Sequence, residues 1–271
     1  MERRRDKGDV WAPARGPAIE LSGLGRSFGT PDGPVHALRD LRLQVDRQRI
    51  LTIVGPSGCG KSTLLRILAG LIEPNEGEVQ VLGDTPENAR ARGEIAFAFQ
   101  QPVLFPWLKV RQNVLLPRKL LGSRCPVPAA ELDQSADELL QAVGLGDFTR
   151  RYPAELSGGM RQRVAIVRSL LYQPSLLLMD EPFGALDELT REQLNELLLE
   201  VWERDRPTIV FVTHSIREAL FLGDQVATMT ARPGTLTSLT DVPFPHPRSP
   251  DVRFEPMFGE LEAKVRAELA L

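Results

Sequence analysis

Nine consecutive residues, Gly55, Pro56, Ser57, Gly58, Cys59, Gly60, Lys61, Ser62 and Thr63, constrain this chain more than any other stretch. They fit G-x-x-x-x-G-K-[ST], the pattern of a phosphate-binding loop. The apolar run Ile50-Leu51-Thr52-Ile53-Val54 leads into them and reads as a buried strand. Leu64, Leu65, Leu68 and Leu71 follow at helical spacing, with Gly70 as a stop. Strand, glycine turn, helix is the setting in which such a loop holds phosphate. The glycines let backbone N–H groups wrap the phosphates without Cβ clashes, and the helix start offers partial positive charge. Lys61 is placed to reach the β and γ phosphates, and the Ser62 hydroxyl to ligate Mg²⁺. Cys59 is a spacer with no chemistry of its own. The chain is therefore expected to bind a nucleoside triphosphate.

A phosphate loop needs a magnesium-holding acid on a neighbouring strand. Leu176-Leu177-Leu178-Met179-Asp180-Glu181 offers one. The leucines bury the strand and carry Asp180 to its C-terminal edge, where ligands sit in open α/β sheets. Asp180 would act on Mg²⁺ directly or through water. Glu181 points differently and can polarise a water beside the γ-phosphate as general base.

The remaining bulk properties bound the setting. The 271 residues make room for one sizeable α/β domain or two small ones. A net charge of −3 supplies no basic field for nucleic acid. Cys59 lies in the loop and Cys125 in a Pro-rich connection, so no structural disulfide is expected and a reducing compartment follows. The N-terminus, MERRRDKGDVWAPARGP, has no apolar core and does not read as a secretory signal. No apolar run approaches the ~18 residues that span a bilayer. Any membrane role must come through a partner.

Residues 1–17 read as a disordered tail, with Arg3-Arg4-Arg5 a solvated cluster. Leu41, Leu43 and Val45 alternate with polar residues as in a half-buried strand, preceded by a turn-rich stretch over 29–34. Strands are expected at 78–82 and 95–99. From 101 to about 151, Pro102, Pro106, Pro117, Pro126 and Pro128 break the rhythm, and Leu132, Leu139, Leu140 and Val143 mark a helix in what reads as a smaller helical insertion. Strand and helix then alternate again. Met160, Val164, Val167 and Leu171 mark a helix, residues 176–179 a strand, 189–202 a helix and 208–213 a strand. Ser215 and Glu218 form a capping box for the next helix. A Pro-rich connector spans 243–250. Met257, Phe258, Leu261, Val265 and Leu269 give a last helix packed on its own domain. The alternation predicts an α/β fold with a mostly parallel sheet covered on both faces. The division expected is a tail over 1–17, an ATPase domain over 18–240 with a helical subdomain at about 101–170, and a connector with terminal helix over 241–271.

Against this background LSGGMRQR, residues 156–163, resembles the signature motif of ATP-binding cassette (ABC) ATPases. Other segments resemble the family in its order. Gln100 in FAFQQP is similar to the Q-loop glutamine, and FGALDELTR to the D-loop with Asp187 as its acid. His214 in FVTHS is similar to the switch histidine, and Phe28 stands where the family has an adenine-stacking aromatic. The resemblance covers about residues 19–235. It implies a P-loop NTPase of the ABC type, with an antiparallel β subdomain and a helical insertion beside the parallel core. It implies ATP and Mg²⁺ as ligands, with Gln100 sensing Mg²⁺ and γ-phosphate, and His214 holding the attacking water in line. Ser157, Gly158 and Gly159 open a helix whose free N–H groups want an anion. The resemblance assigns them the γ-phosphate on a second copy, so that two chains sandwich two ATP molecules as a homodimer. Phe28 replaces the usual tyrosine, which stacking tolerates because it needs only the ring face. Gln101 and Ser215 replace acids common in the family without removing a catalytic group.

Two functions compete at this point. One is the ATPase subunit of an importer, with a separate membrane permease and a substrate-binding protein. The other is a soluble ABC ATPase acting on DNA or ribosomes. A single set of motifs and no heptad run favours transport. VLFPWL at 103–108, the FGALDELTR stretch and Ala231-Arg232-Pro233-Gly234 are similar to the nitrate/sulfonate/taurine branch of bacterial importers. That reading puts the chain at the cytoplasmic face of a bacterial inner membrane, energising uptake of a small solute. Leu104, Phe105 and Trp107 then either line a groove for a permease helix or pack the insertion's own core.

Overall fold

A computed structural model describes residues 16–31, 33–230 and 233–269. Residues 1–15 of the expected tail, including the arginine cluster, and Ala231 and Arg232 of the importer-like segment lie outside the described residues. Three strands form an antiparallel sheet: β1 (Ile19–Thr30), β2 (Gly33–Val45) and β4 (Glu76–Val81), in the order β2-β1-β4. Between them in sequence come β3 (Ile50–Val54) and α1 (Lys61–Leu68). The chain continues through α2 (Pro86–Arg92) and β5 (Ile95–Ala98), then α3 (Val110–Val114), α4 (Leu116–Leu121) and α5 (Ala129–Ala142). It returns through α6 (Gly158–Leu170), β6 (Leu176–Asp180), α7 (Glu188–Asp205), β7 (Thr208–Thr213), α8 (Ile216–Leu222), β8 (Gln225–Met229), β9 (Leu236–Asp241) and α9 (Pro256–Leu269).

The main sheet has six strands in the order β5-β6-β7-β3-β8-β9. All its pairings are parallel except β8 with β9. Its central strands are apolar on both sides because both sides are covered. On β7, Ile209 and Phe211 enter one core while Val210 and Val212 enter the other. Leu177 and Met179 against Leu176 and Leu178 repeat the division on β6. Residues of α6, α7, α8 and α9 share the first core, and α1 and the antiparallel sheet share the second.

Three local expectations need correction. The helix after the phosphate loop ends at Leu68, before Gly70, and Leu71 is exposed rather than on its apolar face. Gly70 adopts φ +62°, and a Cβ there would meet the Glu87 nitrogen at 2.7 Å, so the chain turns away with a glycine in place. The turn over 29–34 is tighter than its composition suggests, because Thr30 pairs with Gly33 and both strands run to its ends. The Ser215–Glu218 capping box is only half formed. Ser215 Oγ accepts from the Glu218 N–H, but the Glu218 carboxylate accepts from the Thr213 hydroxyl instead of the Ser215 N–H.

The terminal helix α9 buries Phe258 and Val265, and Phe258 stacks on Phe244 of the connector with ring centroids 5.9 Å apart. The same connector inserts Arg248, whose guanidinium donates to the carbonyls of Leu220, Phe221 and Gly223 and so caps the end of α8. No helix among the described residues is long and apolar enough to cross a membrane.

Candidate functional site

Four neighbouring strands deliver the site. The loop after β5 carries Gln100, β6 ends in Asp180 and Glu181, β7 is followed by His214, and β3 runs into the glycine loop. Their ends are in register: Ala98 faces Met179, Asp180 faces Val212, and Thr213 faces Val54. Parallel pairing thus lines the sequence-predicted groups along one edge of the sheet.

The loop needs its glycines. Gly58 has φ +77° and Gly60 φ +103°. A Cβ on Gly60 would also meet Leu38 Cδ2 at 2.6 Å and the Ala37 carbonyl at 2.7 Å. Lys61 is 5% exposed and its Nζ donates to the carbonyls of Gly55 and Pro56 at 2.7 and 3.0 Å. The ammonium is therefore held over the loop that its sequence position predicts. Cys59 is buried beneath it and, like Cys125, is a free thiol.

Ser62 Oγ lies 2.9 Å from Asp180 Oδ1. Adjacent ligands of an octahedral Mg²⁺ with bonds of about 2.0–2.1 Å are about 2.9 Å apart, so this pair fits the ion. Among the described residues no group of three or more His, Cys, Asp and Glu forms an all-protein cage. Mg²⁺ ordinarily keeps phosphate and water oxygens in such a sphere. Burial pushes the Asp180 carboxyl up, opposed by the Ser62 hydrogen bond.

Glu181 follows with φ +44°, a left-handed conformation uncommon for its residue type. The turn swings its carboxylate out of line with Asp180. Glu181 Oε2 accepts from Gln100 Nε2 at 3.4 Å and lies 3.5 Å from His214 Nδ1. Gln100, Glu181 and His214 thus converge on one point beside the phosphate loop. An amide, a carboxylate and an exposed imidazole there can orient a water and receive its proton.

Other predicted residues lie apart. Ser157 caps α6, its Oγ accepting from the Met160 N–H at 3.2 Å, and Gly158 and Gly159 form the first helical turn. No hydrogen bond among the described residues joins residues 157–159 to residues 55–63. Gly159 instead lies against Leu186, its Cβ position 3.1 Å from Leu186 Cδ2, next to the Asp187 loop. Asp187 caps α7; the N–H and hydroxyl of Thr190 donate to its carboxylate and hold that group below the usual range. Phe28, near the end of β1, is 38% exposed and pairs across the strands with Val35. The Arg26 guanidinium stands 4.8 Å from its ring centre.

Some contributors are not among the sequence-predicted site residues, although Gln162 lies in LSGGMRQR and Gly234 in the importer-like segment over 231–234. Gln162, 1% exposed, donates from α6 to the carbonyl of Phe99, the residue before Gln100. Asn113, fully buried, accepts from the Phe105 N–H and donates to the carbonyls of Phe105, Leu108 and Lys109, bracing the loop that presents Trp107. Gly234 presses on the back of the phosphate loop: a Cβ there would meet the Cys59 carbonyl at 2.0 Å. The sequence signal for Gly234 is a glycine in a turn; for Asn113 and Gln162 it is a polar residue on the apolar stripe of a helix.

Known proteins resemble most of the chain. Residues 38–184 match the ABC transporter family. The chain belongs to that family. The ABC cassette resembles the aliphatic sulfonates import ATP-binding protein SsuB of Bacillus cereus, at 39% identity over 248 residues, 91% of this chain and 94% of that protein. It is 42% identical over 227 residues to the taurine import ATP-binding protein TauB of Roseobacter denitrificans, 83% of this chain and 82% of that protein. Among solved structures, a dimeric post-hydrolysis state of the ATP-binding cassette MJ0796 bound to ADP and Pi superposes with a TM-score of 0.75. It is 32% identical and covers 83% of this chain and 99% of that one. The cassette is an ATPase, and its fold is that of an ABC-type P-loop NTPase.

Proposed function

We propose that this ATPase energises an importer, drawing a small solute such as a sulfonate, taurine-like or related organic molecule through a separate membrane permease. The observation that carries the permease is Trp107. It is 68% exposed on the Asn113-braced loop that follows Gln100, while its neighbour Leu104 packs into the core and Phe105 meets the indole edge-on at 5.1 Å. A rigidly held, solvent-facing indole so close to the site suits a partner helix. The names of the sulfonate and taurine import relatives support the same reading. Two chains would pair head to tail at the cytoplasmic face of a bacterial inner membrane, with a substrate-binding protein delivering the solute.

In this reading residues 55–63 wrap the phosphates with backbone N–H groups, and Lys61 turns from its loop carbonyls to the β and γ oxygens. Phe28 stacks on adenine. Ser62, Asp180 and Gln100 would hold Mg²⁺, which supplies charge neutralisation across the β and γ phosphates. Glu181 takes the proton of the attacking water at its carboxylate. His214 and Gln100 keep that water in line. Ser157, Gly158 and Gly159 of the partner copy close over the γ-phosphate, and Asp187 borders the same seam. Loss of that phosphate releases the seam.

The deciding experiment is to tag the chain in its native host, solubilise membranes in mild detergent and identify what copurifies. A polytopic permease at near one-to-one ratio supports the importer. Recovery with ribosomes or DNA-repair proteins replaces it with the soluble reading.

A further inference from the structure

We infer that Glu218 and Arg191 are positioning residues for ATP hydrolysis, joining the turn that carries His214 to the loop that carries Asp187, behind the Glu181 carboxylate. The inference rests on the proposed role of His214. Neither residue reaches the nucleotide loop; each acts through another group.

Glu218 grips both neighbours of the histidine. Its carboxylate accepts from the Thr213 hydroxyl, that hydroxyl accepts from the Ser215 N–H at 3.0 Å, and Ser215 Oγ accepts from the Glu218 N–H at 3.3 Å. His214 therefore sits at the apex of a closed ring of hydrogen bonds. Arg191 does the corresponding work on the other loop, donating to the Leu186 carbonyl at 3.1 Å, one residue before Asp187. Glu181, Gly184, Arg191, His214 and Glu218 line one recess between the two loops.

A helix cap alone does not account for this arrangement. The Ser215 N–H that a capping glutamate would take is already bonded to Thr213. Glu218 is 8% exposed and Asn195 3% exposed. Glu218 Oε1, Asn195 Oδ1 and Arg191 Nε are all buried without a hydrogen-bond partner among the described residues. Burial pushes the Glu218 carboxyl up, while Thr213, Arg191, Asn195 and His214 oppose the shift. An apolar residue at this position would leave the Ser215 cap of α8 in place without burying a carboxylate. What the ionisable group holds explains its place here: the Asp187 and His214 loops share this recess, and through it a shift of Asp187 would reach His214.

The test uses the full chain with Mg²⁺ and ATP, reading kcat, KM, affinity for a fluorescent ATP analogue and thermal unfolding. Glu218→Ala and Arg191→Ala are each expected to lower kcat tenfold or more with KM and affinity within twofold. The double variant should be no slower than the slower single one, because the two act as a unit. Glu218→Gln, which keeps the shape and the Thr213 bond, should recover most of the rate. His214→Ala separates the two levels of the argument. If it is slow while Glu218→Ala turns over normally, the positioning role is overturned and the histidine role stands. If His214→Ala itself turns over normally, both fall. Multiplying losses in the double variant, accompanied by lower affinity and melting temperature, would reduce the pair to ordinary structural support and overturn the inference.

Discussion

Glu181 Oε2 lies 3.5 Å from His214 Nδ1, although the two residues come from different strands and Glu181 holds a left-handed backbone to get there. That conformation costs free energy and is kept where it aims a functional group. Glu181→Gln keeps the side-chain shape and removes the proposed base. ATP binding should persist, the ATP-bound dimer should become isolable by gel filtration, and hydrolysis should slow by about 10²–10⁴. Near-normal turnover would take the proton-accepting role away from Glu181.

Lys61 is the charge held over the phosphate loop. Lys61→Ala should weaken ATP binding by about 10- to 100-fold, the scale of one or two charge-assisted hydrogen bonds. Equilibrium titration with labelled ATP reads this directly, and unchanged affinity would count against the loop assignment.

Trp107 separates hydrolysis from coupling. Trp107→Ala should leave ATP turnover of the isolated chain within twofold, since its ring packs on Phe105 and lies outside the Gln100–Glu181–His214 cluster. In membranes containing the permease, solute uptake should fall. Intact uptake would remove the loop from the docking surface.

Arg248 tests the connector. Its guanidinium is buried, burial brings its pKa down to about 10, and it lies 3.7 Å from Asp224. Arg248→Met should destabilise the fold by about 3 kcal/mol, the lower end for breaking a buried pair. A smaller shift of the urea midpoint, with an unchanged slope, would mean that His246, Arg49 and the Ile50 N–H compensate Asp224 without Arg248.

Asp224 gives the matching pH dependence. Burial pushes its carboxyl up, but hydrogen bonds from His246 and the Ile50 N–H, with the Arg248 charge, outweigh that and hold it below the ordinary 3.8. A lowered folded-state pKa stabilises above the unfolded value and loses that contribution as pH falls through the folded one. Stability should therefore drop below about pH 4, and Asp224→Asn should flatten that decline. An identical acid-unfolding profile in the variant would assign the decline to other carboxylates.

The parallel core was legible because its strands are short apolar runs, such as 176–179 and 208–213, each followed at once by a chemical group. The glycine loop was legible because its residue types are dictated by phosphate geometry. Leu71 misled because it keeps the helical period after Gly70 has already turned the chain. The length of β1 and β2 was hidden because Gly33-Pro34-Val35-His36 reads as turn and solvent rather than strand, and β8 and β9 went unread. Glu218 was legible as a cap but not as a clasp on His214, since its partner is chosen by where Thr213 stands in three dimensions. Arg191 was part of a recognisable segment without a role until Leu186 and the recess gave it one. The placement of Gly159 beside Leu186, away from the chain's own phosphate loop, is likewise a property of the fold.

Gly234 has a consequence for how nucleotide leaves. With the Cys59 carbonyl 2.0 Å from where its Cβ would stand, and its own N–H and carbonyl bonded to Ala37 and Arg39, the phosphate loop has a backstop of main chain. The floor of the pocket has nowhere to recoil. In the proposed cycle, unloading ADP would then fall to the Gln100 segment, the Asp187 loop and a second copy, around a cradle braced from behind.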